Sequence, residues 1–218
     1  MFVPPLYREP DASWMLELIR RNPLAMMVSN GTEAEGPFAT HLPVIPDPSR
    51  TAGEPAAGLA GTTLLGHINR ANPHWAALKP GATVLLAFTG PHAYVSPTLY
   101  EVSPAAPTWN FTAVHAHGTI EKLDEGIPDE DTLRVVTSTV RAFEDRFGTG
   151  WGMTESIGYF REIMPAVGAF RFTVSSADAM FKLSQEKTPD IRDRVRRSFR
   201  ESACGRHRAT ADLMEQLP

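Results

Sequence analysis

The order of apolar and polar positions divides the chain into a helical start, a strand-rich centre and a helical finish. Over residues 12–21, Trp14, Leu18 and Ile19 share one face at helical spacing. Asp11 stands where a cap belongs, and Pro23 stops the run. Leu24 to Ser29 reads as a strand closed by the Asn30-Gly31 turn signal. Further strands are predicted over 37–45, 62–68, 82–89, 93–96 and 108–120, with a short helix at 73–78. The segment 46–59 is rich in Pro, Gly, Ala and Ser and reads as an exposed loop. Leu133, Val136, Val140, Phe143 and Phe147 then recur at helical spacing within 129–147. A shorter helix is expected over 156–164, a returning strand over 167–175, a helix opened by Thr188-Pro189, and a last helix from Arg206. Many short strands with helices at their edges imply a mainly β fold with α decoration, a small β-barrel. One domain is expected: residues 1–187 as the barrel with peripheral helices, and 188–218 as its C-terminal helical extension.

Composition narrows the classes. The chain has 218 residues, 42% of them hydrophobic, which is enough for a proper core. A net charge of -4 gives no global attraction to nucleic acid or anionic membrane. The single cysteine, Cys204, excludes a disulfide framework and any multi-thiolate metal site within one chain. No apolar run has the length of a membrane span, and Met1-Phe2-Val3-Pro4-Pro5 lacks the features of a signal peptide, so a soluble cytoplasmic protein is expected. There is no dinucleotide fingerprint, P-loop, nucleophile elbow or zincin helix.

Candidate chemistry concentrates on histidine. Six of the seven histidines lie in the strand-rich centre, at 41, 67, 74, 92, 115 and 117. His115 and His117 share one strand face, suited either to a metal or to a barrel lumen or solvated face. His67 ends an apolar strand in the run Gly66-His67-Ile68-Asn69-Arg70-Ala71-Asn72-Pro73-His74-Trp75. A neutral imidazole there can ligate haem iron, contact a flavin, or only hydrogen-bond backbone. His74, on the first turn after Asn72-Pro73, is expected to face solvent. Arg70 suits a phosphate or propionate, or an ordinary surface ion pair. Thr40 and His41, adjacent on a strand, face opposite sides. Tyr94 brings a hydroxyl to a short strand, Trp109 puts an aromatic ring beside Asn110, and Lys182 can pair with an anion or extend its stem along apolar surface. The arginines from Arg192 to Arg200 suggest a DNA contact, but Asp193 and Glu201 interrupt them and Ile191, Val195 and Phe199 form a buried-type stripe, which favours a solvated helix face.

Five motifs together carry a family resemblance. They are Ala39-Thr40-His41-Leu42-Pro43, Gly66-His67 through Trp75, Gly90-Pro91-His92-Ala93-Tyr94-Val95-Ser96-Pro97, Pro107-Thr108-Trp109-Asn110 and Phe181-Lys182-Leu183-Ser184-Gln185. In this order they resemble the PaiB-type family of FMN-binding split barrels, often labelled negative transcriptional regulators. The resemblance implies a dimeric split β-barrel with cofactor sites at the subunit interface. Met1-Phe2-Val3-Pro4, His74 to Leu78, Met180 to Glu186, Arg192 to Phe199 and Leu213 to Pro218 extend it toward the piperazate synthases. Those are haem enzymes that close N5-hydroxy-L-ornithine into L-piperazic acid. The resemblance makes His67 the metal ligand to haem b and a catalytic residue, with Lys182 and Tyr94 as further catalytic candidates. Arg70, Thr40, His41, Asn72 and Trp109 are the remaining cofactor-binding candidates. The alternatives are an FMN-binding regulator or flavin reductase on the same fold, and a DNA-binding partner using the 192–200 helix.

Overall fold

The computed structural model describes residues 1–9, 11–31, 36–49, 58–123 and 130–216. Most of the expected 46–59 loop, residues 50–57, lies outside them. Helix α1 is Ala12–Arg21, capped as expected: the Asp11 carboxylate accepts the Ser13 amide at 2.7 Å. The strands are β1 (Leu24–Ser29), β2 (Phe38–Pro46), β3 (Thr63–Asn69), β4 (Thr83–Val95), β5 (Thr108–Lys122) and β6 (Val167–Lys182). They close into a barrel in the order β1-β2-β3-β6-β5-β4. Between them lie α2 (Pro73–Ala77), α3 (Glu130–Phe147) and α4 (Ile157–Ile163), and α5 (Pro189–Glu201) and α6 (Gly205–Gln216) follow.

Two expected boundaries move. The strands predicted at 82–89 and 93–96 are one strand, because Gly90-Pro91 continues rather than turns. The strand predicted to end at Ser175 runs on to Lys182, so Lys182 closes a strand instead of following one.

The chain forms two compact units. The barrel unit holds residues 11–88 and 115–177, and the second unit holds 1–10, 89–114 and 178–218. In the barrel unit, strand alternation sorts the two faces. The outer face of β3 is read from Leu65, which packs with Ile45, Ala169 and Val135 of α3. His67 stands two residues on, paired with Ala169, and so shares that outer face. Gly66 takes the opposite face, where a side chain would collide with the fully buried Phe170 ring. In the second unit the arginine-rich helix α5 buries Val195 and Phe199. Four of its five arginines are engaged within the unit: Arg192 donates to the Met214 carbonyl, Arg194 to the Leu99 and Tyr100 carbonyls, and Arg196 and Arg200 each reach Glu215 at 2.6 Å. Arg197 is exposed on this helix.

Candidate functional site

The Gly66–Trp75 run folds into two separate devices. The first is His67 itself. Its Nδ1 is buried and has no hydrogen-bond partner. Its Nε2 has no hydrogen bond among the described residues. Burial holds the imidazole below the ordinary histidine pKa, so the ring is neutral at pH 7. A neutral imidazole is the form that binds iron, zinc or copper. In that respect His67 fits a residue that would ligate haem iron. It lacks the acceptor that usually orients a ligating histidine through its other nitrogen.

The second device is His74, which the structure places in the core and not in solvent. It is 1% exposed. Its Nδ1 lies 2.9 Å from Thr40 Oγ1, its Nε2 lies 2.8 Å from Ser29 Oγ, and its ring stacks on Phe38 at 5.2 Å. Asn72 caps α2 by accepting the His74 amide at 2.9 Å, and its side-chain amide donates to Thr40 at 3.4 Å. Thr40 and Asn72 are therefore brought together, around His74. His41, next to Thr40, is exposed. Both nitrogens of His74 are engaged by hydroxyls, which removes it as a metal ligand. Among the described residues no three His, Cys, Asp or Glu side chains are gathered for a metal ion.

Burial lowers the His74 pKa as well. The folded state favours neutral imidazole while the unfolded chain titrates near ~6.5. Unfolding therefore takes up a proton below that pH. The contribution is intact above about pH 6.5 and is lost as pH falls. His67 acts with the same sign. A His74→Gln variant should lose less melting temperature between pH 7.5 and 5.5 than the unmodified protein. Equal losses in the two proteins would show that this imidazole does not carry the effect.

Arg70 is held across the strand end. Its Nε donates to the Val167 carbonyl at 2.9 Å and its guanidinium lies 6.0 Å from the Trp75 ring. Lys122 donates to the Trp75 carbonyl at 2.7 Å and stands 4.4 Å from the same ring. Gly168 gives that indole its room, since a Cβ there would come within 2.5 Å of it.

In the second unit, Lys182 donates to Thr108 Oγ1 at 2.5 Å and sits 5.8 Å from the Tyr7 ring. Trp109 is half exposed and packs against His92 at 5.6 Å and Tyr94 at 6.0 Å. Asn110, fully buried, donates to Ser184 at 2.9 Å. Three residues missed from the sequence join this group. Tyr7 is pushed up to about 12 by burial and by Glu186, which accepts its hydroxyl. Tyr100 is raised by burial, then by Glu186 and Tyr94. Lys187 stands 4.4 Å from the Tyr100 ring and 3.8 Å from Glu186. The available signal was the proximity of Glu186 to the Lys182 motif; Tyr7 and Tyr100 stand in no motif.

The family described as "Putative FMN-binding domain" matches residues 1–176. The protease synthase and sporulation protein PAI 2 of Bacillus subtilis is 25% identical over 221 residues, covering 99% of this chain and 97% of that protein. The solved FAD and haem binding protein from Mycobacterium smegmatis superposes with a TM-score of 0.55 at 14% identity, covering 86% of this chain and 78% of that one. A flavocytochrome from Azotobacter vinelandii gives 0.51 at 14% identity, over 80% and 69% respectively. These two structures share the fold. No helix among the described residues is long and apolar enough to cross a membrane.

Proposed function

The chain belongs to the FMN-binding-domain family, and we propose that it is a haem-dependent piperazate synthase in which His67 would ligate haem b. The reaction converts N5-hydroxy-L-ornithine to L-piperazic acid by intramolecular N–N bond formation with loss of water. The observation that carries this reading is the buried His67 imidazole, held neutral by burial, whose Nε2 makes no hydrogen bond among the described residues. Haem, when bound, supplies an iron centre able to polarise the N–O bond or exchange an electron with it.

The chain's own residues have the remaining tasks. His67 would hold the iron. Arg70, fixed by the Val167 carbonyl, is assigned to a propionate. Thr40, His41, Asn72 and Trp109 are assigned to the cofactor surroundings; Thr40 and Asn72 act through the His74 network that fixes their positions. Lys182 spends one of its three donors on Thr108, and the other two suit a substrate carboxylate. The exposed Tyr94 hydroxyl is assigned to proton handling during ring closure. Holding amine and hydroxylamine in contact supplies much of the rate, since effective molarities reach ~10⁵ M or more. In this reading the working protein is a homodimer.

The family's own description names FMN binding, which supports a second reading, an FMN-binding regulator or flavin reductase. An absorption spectrum of the purified protein separates the two. A Soret band, with conversion of N5-hydroxy-L-ornithine to piperazic acid, is the expected result. A two-peaked yellow flavin spectrum without turnover would transfer the assignment to FMN.

A further inference from the structure

The barrel unit has a cavity of about 600 Å³ that none of the assigned residues touches. It opens between α1, the end of β2 and α3. Leu16, Pro23, Ile45 and Phe143 supply its apolar surface, and Arg20 and Arg141 stand on its wall from two different helices. Its volume falls within the range of small-molecule sites.

The charges of the wall decide what it takes. Arg146 is engaged by Glu17 at 3.2 Å. Asp47 accepts from the Ser49 amide and hydroxyl and faces Arg134 at 3.6 Å, and its Oδ2 is enclosed by protein. Arg20 and Arg141 have no ion pair among the described residues, and neither does Asp145. Two unengaged guanidiniums against one carboxylate leave a net positive wall beside apolar surface. Guanidinium forks match carboxylates geometrically, and their stems tolerate apolar neighbours.

We infer that this cavity is a second ligand site for an amphipathic monoanion, a carboxylate on an apolar chain. The carboxylate meets Arg20 and Arg141, and the chain lies along Leu16, Ile45 and Phe143. The inference does not rest on the identity of the cofactor near His67.

Calorimetric titration of the full chain with octanoate and with 1-octanol tests it. Octanoate should bind at least tenfold tighter than octanol. An Arg20→Gln/Arg141→Gln double variant should lose at least tenfold for octanoate, and octanol affinity should stay unchanged. Both arginines are exposed, and an unchanged melting temperature verifies that the variant folds. His67→Ala should bind octanoate like the unmodified protein. Absent octanoate binding, equal affinity for octanoate and octanol, an unaffected double variant, or loss of binding in His67→Ala would each overturn the assignment.

Discussion

On the proposed haem-dependent piperazate synthase reading, His67→Ala should lose the Soret band and piperazate formation while the protein stays folded. A ligating nitrogen is the single covalent tie between chain and iron in this assignment. Its removal should exceed the roughly 10–100-fold loss typical of outer-shell partners, so turnover falls by more than about 100-fold. Stability should move little. Truncation leaves space on the outer face of β3, but it also removes a buried Nδ1 that has no hydrogen-bond partner, a group costing on the order of 1–3 kcal/mol. These effects oppose each other, and the net change should stay within about 1 kcal/mol. A functional residue that does not help the fold is expected where activity and stability compete. His67→Gly with added imidazole provides the complementary measurement: free imidazole occupying the vacated place should restore the Soret band. If purified His67→Ala keeps an unaltered haem spectrum and full turnover, the ligand assignment fails.

Strand positions were legible wherever the bounding signals were local. β1 lies where Leu24 to Ser29 predicts it, because its apolar run is bounded locally by Pro23 and by Asn30-Gly31. Gly90-Pro91 misleads because turn chemistry is a short-range signal. Here the Pro91 carbonyl accepts from Thr112 Oγ1 at 3.3 Å, a residue 21 positions away. His74 misleads for the same reason on a larger scale. A histidine on a helix's first turn has no local cause to be buried. Its hydroxyl partners lie 34 and 45 residues back, on two different strands. His67 was legible as a strand-end imidazole, but its missing Nδ1 partner belongs to packing against β6, which no spacing encodes. Lys182 was found through its motif. Its neighbour Tyr7 was not, since 175 residues of chain separate them.

Gly118→Ala should damage the barrel more than Gly66→Ala or Gly168→Ala, whose obstacles are ring atoms of Phe170 and Trp75. A Cβ at 118 would stand 2.1 Å from the Thr173 carbonyl oxygen and 2.7 Å from the Phe172 ring. Gly66 is confined too, but there the obstacle at 2.5 Å is the edge of the Phe170 ring, which can tilt. The Thr173 carbonyl is backbone of β6, tied into the sheet through the pairing of Thr63 with Thr173. Relief at 118 therefore requires β5 and β6 to separate, and a closed barrel has no free edge to absorb that movement. Overpacking costs typically 1–3 kcal/mol, and a backbone obstacle puts this site at about 3 kcal/mol or above. For a domain of this size that corresponds to a melting point lowered by about 6–12 °C. Gly152→Ala is the control, since a Cβ there meets nothing within 4 Å. Removing unfolded-state freedom at that position should leave stability unchanged or raised by up to about 1 kcal/mol. Thermal melts of both variants decide the matter: a Gly118→Ala protein melting within 2 °C of the unmodified chain (about 1 kcal/mol or less) would mean that β5 and β6 are not held as closely as the barrel closure requires.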